Sequence, residues 1–299
     1  MIESRQHGLI ASYFDMFQYA GEGFGNKENI LVRQYGNSIT DNAISHNTGT
    51  IINGATNMTK ALVDAYLMKD GLPITKSPLY REPAGFMDYF KDRDPRLSMT
   101  IMKEGDPYSQ TGAFTYPQLI FHTTGFCYRK FVVPSDLAQS NTSFLDLPVI
   151  RYAEVLVTYA EAKYELNGNI LDEDLNYSIN LVRARAGIPP LTNAFVTVNG
   201  LDMKEEIRRE RRVEFSMEGL RYWDIVRWKI AEQVLPQDVR GTYFFPGYFG
   251  NVNPAVVDGF VVVQKKEFRF FDPQKDYLWP LPLSELVINK GLTQNPGWK

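Results

Sequence analysis

Ionisable side chains gathered at fixed spacing are where chemistry could start, and here they concentrate between Asp202 and Glu218. A helix over this stretch presents one face that begins with Met203 and Ile207 and continues at spacings of three and four through Glu210, Arg211, Glu214 and Met217. Charges therefore occupy positions where a core-facing helix carries apolar residues. Burying one ion alone costs several kcal/mol. The seam thus predicts that Arg208, Arg211 and Arg212 are paired with Glu210, Glu214 or carboxylates elsewhere in a dry fork-to-fork network. A solvated, salt-laced helix is the alternative. Other constellations are thinner. Asp92 and Asp94 could be paired carboxylates for acid–base work, but a turn held by side-chain hydrogen bonds is the favoured use. His7, His46 and His122 are scattered, and there is no Gly-x-Ser-x-Gly, no His-Glu-x-x-His and no phosphate loop. Gly21, Gly23 and Gly25 follow no strand, so they make a poor nucleotide loop. Asp172-x-Asp174-x-Asn176 starts like a calcium loop but lacks glycine at the sixth position, which favours helix capping. No catalytic residue, metal site or cofactor is assigned.

The elements that must position such groups are bounded only loosely by composition. With 299 residues and 44% apolar content, one large domain or two moderate ones can form. A net charge of -3 argues against general affinity for nucleic acid, which needs a basic footprint. No apolar run approaches 18 residues, so no span of a bilayer is expected. The first residues carry no secretion signal, which taken alone leaves the chain where it is made. The single cysteine, Cys127, has no internal partner. Aromatic content reaches 13%, with 17 tyrosines and 19 phenylalanines, so some rings are expected at the surface.

The clearest elements are helices. Arg151 to Asn167 carries an apolar arc of Tyr152, Val155, Leu156, Tyr159, Ala160 and Leu166 and stops at Gly168. Asp172 to Ala186 buries Leu175, Ile179 and Val182 and stops at Gly187. The hairpin 151–187 has the length of a tetratricopeptide unit, about 34 residues, which cannot bury its face alone. A second helix pair, 202–235, turns at Gly219, with Leu220, Trp223, Arg227, Ile230 and Val234 expected as a buried stripe. Further helices are expected at Ile10–Gln18, Met58–Lys69 and Phe86–Asp92, the last stopped by Pro95. Strands are expected at Asn29–Tyr35, Gly125–Val133, Phe260–Val263 and Phe268–Phe271. The segments 36–56, 105–148 and 236–299 are loop-rich, and the tail with Pro280 and Pro282 is expected to be tied down by its apolar side chains.

Several motifs in order carry a resemblance. Arg151-Tyr-Ala-Glu-Val-Leu with Tyr159-Ala-Glu-Ala162, Val182-Arg-Ala-Arg-Ala-Gly187, Arg208-Arg-Glu-Arg-Arg212 running into Glu218-Gly-Leu-Arg221 and Asp224-Ile-Val-Arg-Trp228, Asp70-Gly-Leu-Pro-Ile74, Arg93-Asp-Pro-Arg-Leu97 and Gln294-Asn-Pro-Gly-Trp298 resemble the SusD/RagB family of surface nutrient-binding lipoproteins of Bacteroidota. The likeness covers residues 1–299 and looks like the C-terminal region of such a protein, without the family's lipoprotein signal, anchoring cysteine and N-terminal tetratricopeptide helices. It implies a mainly α, SusD-like fold of tetratricopeptide-type helix pairs with a loop-rich face and a few short β-strands. It further implies a non-catalytic protein at the cell outer membrane, surface-exposed through a lipid anchor outside this chain, that captures a glycan and hands it to a SusC-like TonB-dependent transporter. A glycoside hydrolase and an intracellular tetratricopeptide scaffold are the alternatives.

The motifs are scaffold, so ligand residues must be chosen on physical grounds. A sugar ring presents an apolar face edged by hydroxyls, which calls for exposed flat aromatics beside amides or carboxylates on loops held by a rigid frame. Two stretches qualify as ligand-binding candidates: Tyr35, Asn37, Asp41 and His46, and the ring-rich Tyr243, Phe244, Tyr248 and Phe249. The alternative for each ring is packing against the helices beneath.

Overall fold

Glycines in left-handed conformation frame the helical half of the computed structural model, which describes residues 1–36, 57–109, 112–116, 123–138, 142–245, 247–248 and 253–298. In chain order the α-helices are α1 (Lys60–Val63), α2 (Pro95–Thr100), α3 (Tyr152–Asn167), α4 (Asp172–Tyr177), α5 (Ile179–Ala186), α6 (Asn193–Val198), α7 (Met203–Glu214), α8 (Arg221–Arg227), α9 (Ala231–Val234) and α10 (Leu283–Ile288). Helix α3 ends where Gly168 takes φ 71°, and α5 where Gly187 takes φ 72°, conformations that an L side chain resists. Ser178 breaks the second arm of this hairpin into α4 and α5. Asp202 caps α7 by accepting from the Glu205 N–H at 3.0 Å.

The strands are short: β1 (Asn29–Arg33), β2 (Pro107–Ser109), β3 (Gly112–Ala113), β4 (Leu147–Arg151), β5 (Val239–Tyr243), β6 (Val256–Val257) and β7 (Phe260–Gln264). Strand β1 pairs antiparallel with β4, Leu31 opposite Ile150 and Arg33 opposite Leu147. Strands β5, β7 and β6 form an antiparallel sheet in that order, with Tyr243 opposite Phe260. Two apolar clusters flank α7. One is rich in rings and includes Phe17, Tyr66, Phe86, Phe114, Phe126 and Val213; the other fills the α3–α5–α7 stack with Leu156, Leu175, Val182 and Ile207. The fold is mostly helical with a few short strands, as expected.

Several elements differ from expectation, each for a local reason. Helix α1 stops at Val63 because the buried Arg93 guanidinium donates to the carbonyls of Val63 (2.6 Å) and Tyr66 (2.9 Å), which a longer helix would have used. Pro95 starts α2 instead of ending the helix before it: its missing N–H is harmless in a first turn, and Asp94 caps the helix. Gly125–Val133 is not a strand. Cys127 and Tyr128 bridge two different partners, Asn57 and Ile101, and Phe131 then turns at φ 66°. Ile10–Gln18 and Phe86–Asp92 contain single 3₁₀ turns at Asp15–Phe17 and Phe86–Phe90. Phe268–Phe271 pairs with no strand among the described residues. The tail is held by polar bonds: the Gln294 side chain accepts from Leu281 N–H (2.7 Å) and donates to its carbonyl (3.0 Å), while Leu283, Val287 and Ile288 stay exposed.

Candidate functional site

The charged face of α7 is buried, and its carboxylates are met by cations from other elements. Arg96 of α2 donates to Asp94 (2.7 Å), Glu210 (2.5 Å) and Glu214 (2.8 Å). Arg151, where β4 runs into α3, reaches Glu28 (2.8 Å), Glu214 (2.6 Å) and Glu218 (2.7 Å). Arg185 closes on Glu28 and Glu214, Arg183 on Glu210, and Lys130 on Glu218 at 2.6 Å. Five cations (Arg96, Lys130, Arg151, Arg183, Arg185) thus face five carboxylates (Glu28, Asp94, Glu210, Glu214, Glu218), so this linked set of ten carries no net formal charge. Burial alone would raise the Glu214 carboxyl, but Arg185, Arg151 and Arg96 hold it well below the usual carboxylate range. Glu218 is lowered in the same way by Arg151 and Lys130 against its burial. Burial draws the Lys130 ammonium down to about 8, with Glu218 opposing. Groups so tightly paired tie α2, α3, α5 and α7 together.

The other members of the charged run have separate fates. Arg211 leaves the central set to pair with Asp224 of α8 at 2.8 Å. Arg208 sits nearer solvent against Glu205 (3.5 Å) and Glu165 (3.6 Å), over the Trp228 ring. Arg212, expected to be paired, has no carboxylate oxygen within 4.0 Å among the described residues. Asp92 pairs with Lys69, and Asp94 accepts from the Arg96 backbone at 2.9 Å, so both carboxylates hold the turn. Asp172 accepts from Asn193 (2.8 Å) and Asp174 from Tyr159 (2.6 Å), tying neighbouring helices together where capping of their own helix was expected. No group of three or more His, Cys, Asp and Glu suited to a metal exists among the described residues.

Of the ligand candidates, Asn37, Asp41, His46 and Phe249 lie outside the described residues. Tyr35 lies two residues beyond the end of β1, its N–H donating to Asp146 at 2.9 Å and its ring 5.6 Å from the Arg33 guanidinium. Tyr243 packs edge-on to Phe260 at 5.3 Å and lies over Gly259, where a Cβ would come within 2.4 Å of its ring. Phe244 packs against the aromatic cluster. Tyr248 projects from the loop after β5, 48% exposed, braced by Tyr116 at 5.7 Å and Phe245 at 6.0 Å. The structure thus places Tyr243, Phe244 and Tyr248 at one end of the aromatic cluster, with Tyr248 the most open.

A second ring cluster went unanticipated. Trp223 was expected in a buried stripe, yet it is 58% exposed, and α8 instead buries Asp224 and Ile225. Trp223 stacks with Trp279 at 6.2 Å, and the Trp279 indole N–H donates to the Tyr222 hydroxyl at 2.9 Å. The missed signal was Asp224: a carboxylate destined for Arg211 turns α8 by one position and sends its neighbour Trp223 outward. Between α1 and the α7–α8 turn lies a cavity of about 520 Å³, whose walls include Leu62, Arg211, Arg212, Phe215, Leu220, Arg221 and Tyr222.

Comparison with known proteins adds four findings. The SusD family model matches residues 21–298. A SusD-like protein of Bacteroides ovatus is 38% identical over 228 residues, 67% of this chain and 39% of that protein. The crystal structure of a SusD-like carbohydrate binding protein from Bacteroides fragilis superposes with a TM-score of 0.73 at 32% identity, covering 98% of this chain and 59% of that one. Surface glycan-binding protein A from Bacteroides thetaiotaomicron, in complex with laminarihexaose, shares the fold at a TM-score of 0.52 and 20% identity over 98% of this chain and 58% of that one. The chain therefore spans about half the length of the relatives it matches.

Proposed function

The chain belongs to the SusD family, and from that premise we propose that it is a non-catalytic glycan-binding region at the bacterial surface, whose parent protein presents captured oligosaccharide to a SusC-like TonB-dependent transporter. The observation that carries the reading is the likeness, over 98% of this chain, to a carbohydrate binding protein. The geometry supports it: a neutralised ion-pair interior makes a stiff frame, and aromatic faces stand on it. No helix among the described residues is long and apolar enough to cross a membrane, and attachment of the parent protein to the outer membrane through a lipid anchor is part of the proposal.

Tyr248, with Tyr243, Phe244 and Tyr35, is the proposed sugar-facing set. Stacking a pyranose on Tyr248 needs an open ring held in fixed orientation, which the Tyr116 and Phe245 contacts provide. Affinity electrophoresis through glycan-loaded gels tests this. Tyr248→Ala is expected to lose retention at least several-fold with an unchanged melting temperature. Unchanged retention, or a large fall in melting temperature, would return that ring to a packing role.

A further inference from the structure

Arg212 and Arg221 break the pairing pattern of the interior. Neither makes an ion pair or a hydrogen bond among the described residues, and both are half-buried in the wall of the cavity between α1 and the α7–α8 turn. Burial, together with the neighbouring Arg221 and Arg209, draws the Arg212 guanidinium down to about 10, with Asp64 opposing. Both arginines line the cavity of about 520 Å³, as does Asp224, and also a hollow of about 90 Å³ lined in addition by Glu205, Arg208 and Arg209. Elsewhere in this interior most guanidinium groups meet a carboxylate directly, whereas Arg212 and Arg221 present theirs to the cavity walls, Arg221 also lying 5.7 Å from the centre of the Trp228 ring.

We propose that this cleft binds an acidic saccharide, a uronate or sulfated sugar, whose charged group is clamped by Arg212 and Arg221; this rests on the glycan-binding reading above. A guanidinium fork matches a carboxylate or sulfate with two parallel N–H···O bonds. The remaining wall suits the rest of such a ligand, since Leu62 and Leu220 offer an apolar surface to the C–H face of a sugar ring and Tyr222 stands at the cavity wall. A neutral sugar would leave both guanidinium groups as they are now.

The test is calorimetric titration of the chain at low salt with trigalacturonate, its carboxyl-reduced counterpart, a sulfated galactose trisaccharide and its desulfated form. The expected result is that at least one charged sugar binds tenfold or more tightly than its neutral partner, with the two pairs separating carboxylate from sulfate. Arg212→Met and Arg221→Met are each expected to abolish that advantage while leaving neutral-sugar affinity unchanged. Arg212→Met keeps the aliphatic stem and removes an uncompensated charge, so without ligand it should melt no lower than the wild type. Equal affinity for charged and neutral sugars overturns this inference and leaves the glycan reading standing; binding of no sugar at all removes both. A lower melting point for Arg212→Met with the charge preference intact makes the arginine structural, and binding of hexaglutamate without any saccharide assigns the cleft to a protein partner.

Discussion

At the residue scale, the same guanidinium chemistry has opposite consequences depending on whether a carboxylate faces it. Glu214 meets three arginines and stays ionised deep in the protein. Replacing it by glutamine would leave Arg96, Arg151 and Arg185 short of a counter-charge, at an expected cost of about 3–5 kcal/mol in urea unfolding. Lys130 is the more revealing test, because its sign is unusual. Its ammonium lies 3.9 Å from the centre of the Phe17 ring and is pulled to about 8 by burial, below the ordinary lysine value. Between about pH 8 and the unfolded lysine value the unfolded chain binds the extra proton, so stability should rise with pH across that window. Unfolding free energies of wild type and Lys130→Met, compared from pH 7.5 to 10, should differ with that slope. A flat difference would show that Glu218 keeps the ammonium charged throughout.

At the scale of elements, strand β5 joins the aromatic loop to the body. Gly241 lies so close to Thr124 that a Cβ would come within 2.1 Å of the Thr124 carbonyl oxygen, and the next residue, Thr242, donates its N–H to that oxygen at 2.7 Å. Gly241→Ala must therefore push β5 away, costing about 1–3 kcal/mol as overpacking does. It is also expected to weaken glycan retention by moving Tyr243, Phe244 and Tyr248 together; a lower melting point with full retention would separate that loop from binding. Such close approaches of backbone to backbone leave no periodic trace, whereas helix stops do. Gly168 and Gly187 were readable as ends of the 151–187 hairpin because a positive φ selects glycine. Helix α1 was over-extended because Arg93, 30 residues away from Val63, takes the carbonyls that would have continued it. Trp223 was misplaced because the core face of α8 is set by an ion pair with Arg211, and apolar periodicity is blind to that. The α7 seam was legible as a charged face turned inward, while the identity of its partners, Arg96, Arg151 and Arg185, depended on folding. Arg212 was legible as an arginine on that helix, and only the surrounding elements could leave it unmatched.

At the scale of the whole molecule, the balanced interior predicts how the protein fails in acid. Glu214, Glu218 and Glu161 all sit below the ordinary glutamate value: burial pushes each up, and the facing cations more than reverse it. A carboxyl depressed in the folded state contributes stability that is fully present above its unfolded value and is lost as pH falls through the folded value. Glu206 runs the other way, since burial raises it despite Arg209, and protonation there relieves a buried charge. Asp174 and Asp238 are lowered as well and Glu22 is raised by burial, so with five depressed groups against two, unfolding free energy should hold steady from about pH 7 to 5 and then fall steeply below the glutamate range near 4.3. Because Glu214 and Glu218 share Arg151, losing one leaves that guanidinium less fully matched, and the collapse should be cooperative. In Glu214→Gln the acid slope should be shallower, since one titrating group is gone while the starting stability is already lower. Urea titrations at half-unit steps from pH 3 to 7 read this directly. An unchanged acid slope in Glu214→Gln would mean that acid unfolding is controlled outside the helix stack, and the stiff charged frame would then not be what holds the binding face in place.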